Sequence, residues 1–275
     1  MKSFNILKVL VKSFTDFFKD SGHMLAAAIS FFFILALVPY CLMLVAIFGY
    51  FLGERPDFFA FFAKRLSDMF PSVTHQISDG LTKLITYKKI GNITLVLYAF
   101  LSYELVSSIE YSMDKIFKVK HSRHFLLSML LSVVIVTITI AIVLLSFGST
   151  YVVSGAWEIK RFFPSLDVGI IAGFILGYIV PFFMVFLTLF ALYIILPNKK
   201  IKITHAMFGA LISTIFMELA KHLFTIYVTK LLQFGSIYGP LTAFVIFLIW
   251  IYYSSCILLM GAEFIHNVES NQRKR

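Results

Sequence analysis

Three charged residues stand inside stretches that are otherwise apolar: Glu104 within 90–109, and Glu218 and Lys221 within 203–229. An ionised side chain in the hydrocarbon of a bilayer is costly, so such residues face a bundle interior or a wet cavity. They are the candidate lining of a polar substrate pathway. Glu218 and Lys221 are three apart, share one helix face and could pair with each other, which leaves a structural ion pair as the alternative. Glu104 has no partner within its own stretch; it is either protonated or reaches a charge on another span. His205 and His222 share the stretch with Glu218, but a lone His in such a place is more often structural than catalytic.

The elements that must position these residues follow from composition. Of 275 residues, 60% are hydrophobic and 14% charged, and the mean hydropathy is +0.90. A soluble domain is about half apolar and a quarter charged. The pattern is that of an all-α membrane protein, one bundle over 1–275. A span needs roughly 20 apolar residues. Charge-free runs place helices near 25–50, 126–148, 168–195 and 238–262, and the two interrupted runs add spans near 90–109 and 203–228, six in all. Cys41 and Cys256 lie within apolar runs and read as small buried hydrophobes. The first apolar run is too long for a cleavable leader and has no small-residue cleavage site behind it.

With the N-terminus cytoplasmic, 14 of the 24 Lys and Arg fall in inner segments and 9 in outer ones, Lys221 lying within a span. Both termini are therefore expected inside. The net charge of +10 then reflects topology and contact with anionic headgroups rather than nucleic acid. In the arm 1–24, Leu7, Leu10, Val11, Phe14, Phe17 and Phe18 recur at helical spacing among lysines, which predicts a helix on the inner surface; a solvated cap over the bundle is the alternative. The outer loop 54–89 carries enough Phe, Leu and Ile to predict two short helices packed on the outer face. The stretch 263–275 reads as a basic inner tail.

Gly169, Gly173 and Gly177 form a repeated small-xxx-small stripe that lets another helix approach closely, from the same chain or a second copy. Pro39 and Pro181 hold similar offsets in the first and fourth spans, as Glu104 and Glu218 do in the second and fifth. Two inverted three-helix halves would produce this match, and so would chance.

The most specific stretch runs from Leu196-Pro197-Asn198-Lys199-Lys200 through Gly209-Ala210, Glu218-Leu219-Ala220-Lys221, Phe224 and Tyr227. Tyr238-Gly239-Pro240, Leu248-Ile249-Trp250-Ile251-Tyr252 and Gly261-Ala262-Glu263 follow. This order resembles the YihY/BrkB family, and Ala26-Ala27-Ala28-Ile29-Ser30 with Pro39 beyond it resembles that family's opening span. Pro240 departs from the small polar residue many members carry. The resemblance implies a six-helix protein of the bacterial plasma membrane with both termini inside. It also brings an old ribonuclease label, a serum-resistance label and links to export of envelope lipid.

The residues speak against a nuclease. His23, His75, His121, His124, His205, His222 and His266 are scattered, and there is neither an HxHxD-like cluster nor a GxSxG elbow. No P-loop is present, so transport would be passive, ion-coupled or driven by a partner. No catalytic residue, metal ligand or cofactor is assigned. The expected partners are the bilayer and its anionic headgroups, with a homo-oligomer or an envelope protein as further possibilities and no nucleic acid. The functional expectation is a translocator of a lipid or lipid-linked envelope component, with a membrane scaffold as the alternative. Tyr238 and Gly239 should open the sixth span, and Gly261 and Glu263 should close it where Glu263 reaches water or the basic loops.

Overall fold

The structure, a computed structural model, describes residues 6–52, 92–119, 127–129, 131, 132, 135, 179–233 and 240–273. The expectations for the loop 54–89, for Gly169, Gly173 and Gly177, for Tyr238 and Gly239, and for most of the third span lie outside the described residues.

Within them the regular structure is helical: α1 (Ile6–Lys19), α2 (Gly22–Leu52), α3 (Asn92–Phe117), α4 (Val180–Ile195), α5 (Ile203–Gln233) and α6 (Pro240–Arg273). Among the described residues, α5 and α6 are each long and apolar enough to cross a bilayer; α1 and α2 together make a third such unit, bent by 71°. In a bilayer every backbone polar group must be satisfied within the segment, which is why uncharged apolar runs of this length fold as helices. Three of their buried hydroxyls are satisfied the same way. Ser30 donates to the Ala26 carbonyl at 2.6 Å, Thr214 to Ala210 at 2.7 Å and Ser255 to Ile251 at 2.9 Å, each one turn back.

α6 is the central element, packing against α1, α2, α3 and α5; α2 also packs on α3, and α4 on α5. The core gathers Leu25, Ala26 and Ile29 of α2, Met113 and Ile116 of α3, Tyr193 of α4, Ala206 and Ala210 of α5, and Leu259, Ala262 and Ile265 of α6.

The bend between α1 and α2 has a local cause. Ser21 adopts a left-handed φ of 61°, ends α1 by donating its N–H to the Phe18 carbonyl, and accepts from the N–H groups of Met24 and Leu25 to begin α2. A Cβ at Gly22 would stand 2.3 Å from the Phe17 ring and 2.8 Å from its carbonyl oxygen, so only glycine lets the chain fold back this tightly. α1 consequently lies across the end of the bundle. Val9 and Phe17 are buried, Val9 against α6, while Leu7, Val11, Phe14 and Phe18 point away, each more than half exposed. The single apolar face legible in the sequence is thus two faces.

α3 and α6 run beyond the spans expected from hydropathy. α3 continues to Phe117 and closes with Lys118 in the left-handed region (φ 55°); the Val119 N–H bonds the Asp114 carbonyl at 2.9 Å and the Lys118 N–H that of Lys115. α6 continues helical to Arg273, so that 263–273 forms the last three turns of that helix. Phe264, Ile265 and Val268 lie at 7% exposure or less, held by α1 and the α5 start. The charges in these extensions are what made hydropathy stop early.

Candidate functional site

α5 carries the two charges that pair. Lys221 Nζ donates to Glu218 Oε1 at 2.5 Å, with 37% and 30% of the two side chains exposed. Glu218 lies about 22 Å along the axis from Ile203 at 1.5 Å of rise per residue, near the middle of α5. Its neighbours Ile215, Phe216, Leu219 and Leu223 are exposed apolar side chains. The pair therefore opens sideways on a greasy flank instead of facing the closed core. One turn further, Phe224 meets Trp250 and Tyr253 of α6 at centroid distances of 4.9 and 5.6 Å, and Trp250 and Tyr253 meet edge to face at 5.0 Å. Glu104 is half-buried on α3. It is not joined to the α5 pair, whose ion pair is with each other, and α3 packs on α2 and α6.

Below this level a hydroxyl fastens three helices together. Tyr193 of α4 is fully buried; its hydroxyl donates to the Leu258 carbonyl of α6 at 2.8 Å and lies 2.9 Å from Ser213 Oγ of α5. Gly261 makes room for it, since a Cβ there would stand 2.0 Å from Ser213 Oγ and 2.1 Å from the Tyr193 hydroxyl. Gly209, opposite on α5, would place a Cβ 2.3 Å from Ile265. The small residues of Gly209-Ala210 and Gly261-Ala262 are thus the close crossing of α5 and α6.

At the end of the bundle carrying α1, the helix extensions assemble a layer of charge. Asn198, in the turn between α4 and α5, donates its backbone N–H to Asp114 Oδ1 at 2.8 Å. Its amide also donates to Glu110 Oε1 at 2.9 Å and to Asp114 Oδ2. Pro197 beside it is fully buried. Lys199 bonds Glu269 at 2.6 Å and sits 5.5 Å over the Phe117 ring, while His205 Nδ1 lies 3.9 Å from the other Glu269 oxygen. Asn267 donates to Ser13 Oγ and Asp16 Oδ2, both at 3.2 Å, tying α6 to α1. Glu263 is 1% exposed, where hydropathy placed it at water. The reason is the continuation of α6 under α1.

Of the residues singled out in the sequence, the structure joins Glu218 to Lys221, seats Pro197 and Gly261 at packing points, buries Glu263 and keeps Pro39 within α2. Sequence reasoning passed over Glu110, Asp114, Asn267 and Glu269, and named Asn198 and Lys199 only within a motif. For three of them the spacing was a partial signal: Glu110 and Asp114 are four apart on one face of α3, as Glu263 and Asn267 are on α6. Among the described residues, no group of three His, Cys, Asp or Glu is placed to hold a metal ion.

Comparison with known proteins gives membrane-protein relatives. Residues 13–275 match the family described as "Virulence factor BrkB". A UPF0761 membrane protein of Legionella pneumophila is 30% identical over 278 residues, covering 94% of this chain and 61% of the relative, so the chain spans less than two thirds of that protein's length. A UPF0761 membrane protein of Histophilus somni is 29% identical, covering 94% of this chain and 89% of its own. One of Aliivibrio fischeri is 30% identical over 86% of this chain and 76% of its own. No solved structure matches the chain. An integral membrane helix bundle matched to this family along almost its whole length is a member of it, and the chain belongs to the YihY/BrkB family.

Proposed function

We propose that this chain is a multi-pass protein of the bacterial plasma membrane, with six spans and both termini cytoplasmic, that moves a lipid or lipid-linked envelope component between leaflets without enzymatic turnover. The observation that carries this reading is the Glu218–Lys221 pair, held near the middle of α5 and partly open on an apolar flank. An amphiphile crossing a bilayer keeps its tails in hydrocarbon and needs a polar foothold for its headgroup part-way; a zwitterionic pair beside lipid-facing Leu and Phe supplies one. Glu104 lies along the same path in this reading, and anionic headgroups are the natural contact of the lysines around the bundle end.

The test is transbilayer movement of labelled envelope lipids in liposomes carrying the purified protein. Native protein should accelerate movement over empty liposomes, and Glu218→Gln or Glu104→Gln should remove the acceleration while folding stays intact. Absence of movement across several lipid classes, with a proton gradient imposed, overturns the reading. A non-transporting scaffold would then be favoured by a specific feature: the Tyr193 hydroxyl locks α4, α5 and α6 together, as suits a rigid platform for an envelope protein or a second copy.

A further inference from the structure

Glu263 is the one residue of the charged layer whose surroundings do not suit an ion. It is 1% exposed, and no donor reaches either of its carboxyl oxygens among the described residues. The Asp20 carboxyl, at the junction of α1 and α2, faces it. Two carboxyls can bond each other only when one carries a proton, because an ionised carboxylate is acceptor-only. We propose that Glu263 and Asp20 form a proton-binding site between α6 and the α1–α2 junction, a carboxylic acid and a carboxylate sharing one proton.

The surroundings select a proton over the alternatives. From α1 the site faces Asp16, which has Lys12 and Lys19 each at 3.9 Å and accepts from Asn267. From the end of α3 it faces Lys118, 4.0 Å from Asp20 and 66% exposed, so its charge is shared with water. α2 contributes His23, whose ring stacks on Phe18. Glu110 and Asp114 of α3 are taken by Asn198, and Lys199 and His205 face Glu269. On α6 itself, His266 lies against Phe117. Among the described residues no cation but the exposed Lys118 acts on Glu263, and no metal-holding group is present. A second ionised carboxylate against Asp20 would be repelled and desolvated together, which a shared proton relieves. On release the proton passes from the acid O–H to water at the Asp20 side, which is 25% exposed, and leaves two anions that push α6 and the α1–α2 junction apart.

The site is independent of any translocated substrate, so its test does not need transport. Infrared spectra of the full chain in nanodiscs would follow the C=O stretch of protonated carboxyls from about pH 5 to about pH 9. The native protein should show an acid band that vanishes as pH rises, and Glu263→Gln should lack it, while Glu104→Gln and Glu218→Gln keep it. Identical native and Glu263→Gln spectra overturn the proposal. Asp20→Asn, at a partly exposed position, gives a second reading that does not disturb the core. With the anionic neighbour gone, the band should disappear at a pH lower by about one unit or more; an unchanged midpoint overturns the shared proton.

Discussion

A side chain at Gly261 and the hydroxyl of Tyr193 cannot coexist: a Cβ on the first would stand 2.1 Å from the second. Gly261→Ala must therefore push α6 from α4 and α5, or turn Tyr193 out of its bond to the Leu258 carbonyl. Overpacking of this kind costs about 1–3 kcal/mol. Tyr193→Phe alone loses the hydroxyl's bonds, about 1 kcal/mol. Because Tyr193 is one of two clashing groups, with Ser213 the other at 2.0 Å, the double variant should be less destabilised than the sum of the singles. Thermal unfolding in detergent would measure all three; strict additivity would mean that α6 shifts as a whole and the hydroxyl is not what blocks the methyl.

Asn198 serves two carboxylates on α3 at once, Glu110 and Asp114. Glu110 is 6% exposed, and losing Asn198 leaves it only the long 3.4 Å bond from Ser128 Oγ. Asn198→Ala should lower stability by about 1–3 kcal/mol. Asn198→Asp should be worse than Ala, since it sets a third carboxylate against two. Asp114→Asn in the Asn198→Asp background returns a donor to the pair and should recover part of the loss. The measurement is the unfolding midpoint of the four proteins. An Asn198→Asp chain as stable as the native one would show that the turn does not depend on this donor.

Much of the bundle was readable because a bilayer leaves few choices. The charge-free run ahead of Pro39, and the runs containing Glu218 and Trp250, are helices where hydropathy placed them, and the three-residue spacing of Glu218 and Lys221 gave their pairing. The charged layer was hidden for the same physical reason. Hydropathy treats Glu110, Asp114 and Glu269 as marks of water, whereas here each is answered by a partner far away in the chain: Asn198 for the first two and Lys199 for the third. Partnership across helices has no local signature. The two-faced α1 was half legible, since helical spacing shows which residues share a side but not that Phe17 is covered by packing while Phe14 is left free.

That difference between Phe14 and Phe17 makes the placement of α1 testable. α1 crosses the bundle end at 71° to α2, with Leu7, Val11, Phe14 and Phe18 outward among Lys8, Lys12 and Lys19. A helix lying in the headgroup layer would bury that outward stripe among acyl chains and set its lysines against anionic lipid. With Trp157 and Trp250 replaced by Phe, a single tryptophan introduced by Phe14→Trp should be strongly quenched by brominated lipids. Phe14 is 52% exposed and Phe17 3%, so Phe17→Trp should be quenched far less. Quenching at Phe14→Trp should deepen when the brominated lipid is anionic, and salt should weaken that increment because the lysines act through a screened field. Equal weak quenching at both positions would mean that α1 caps the bundle in water, and the charge of its lysines would then have to be explained by a protein partner instead of the membrane.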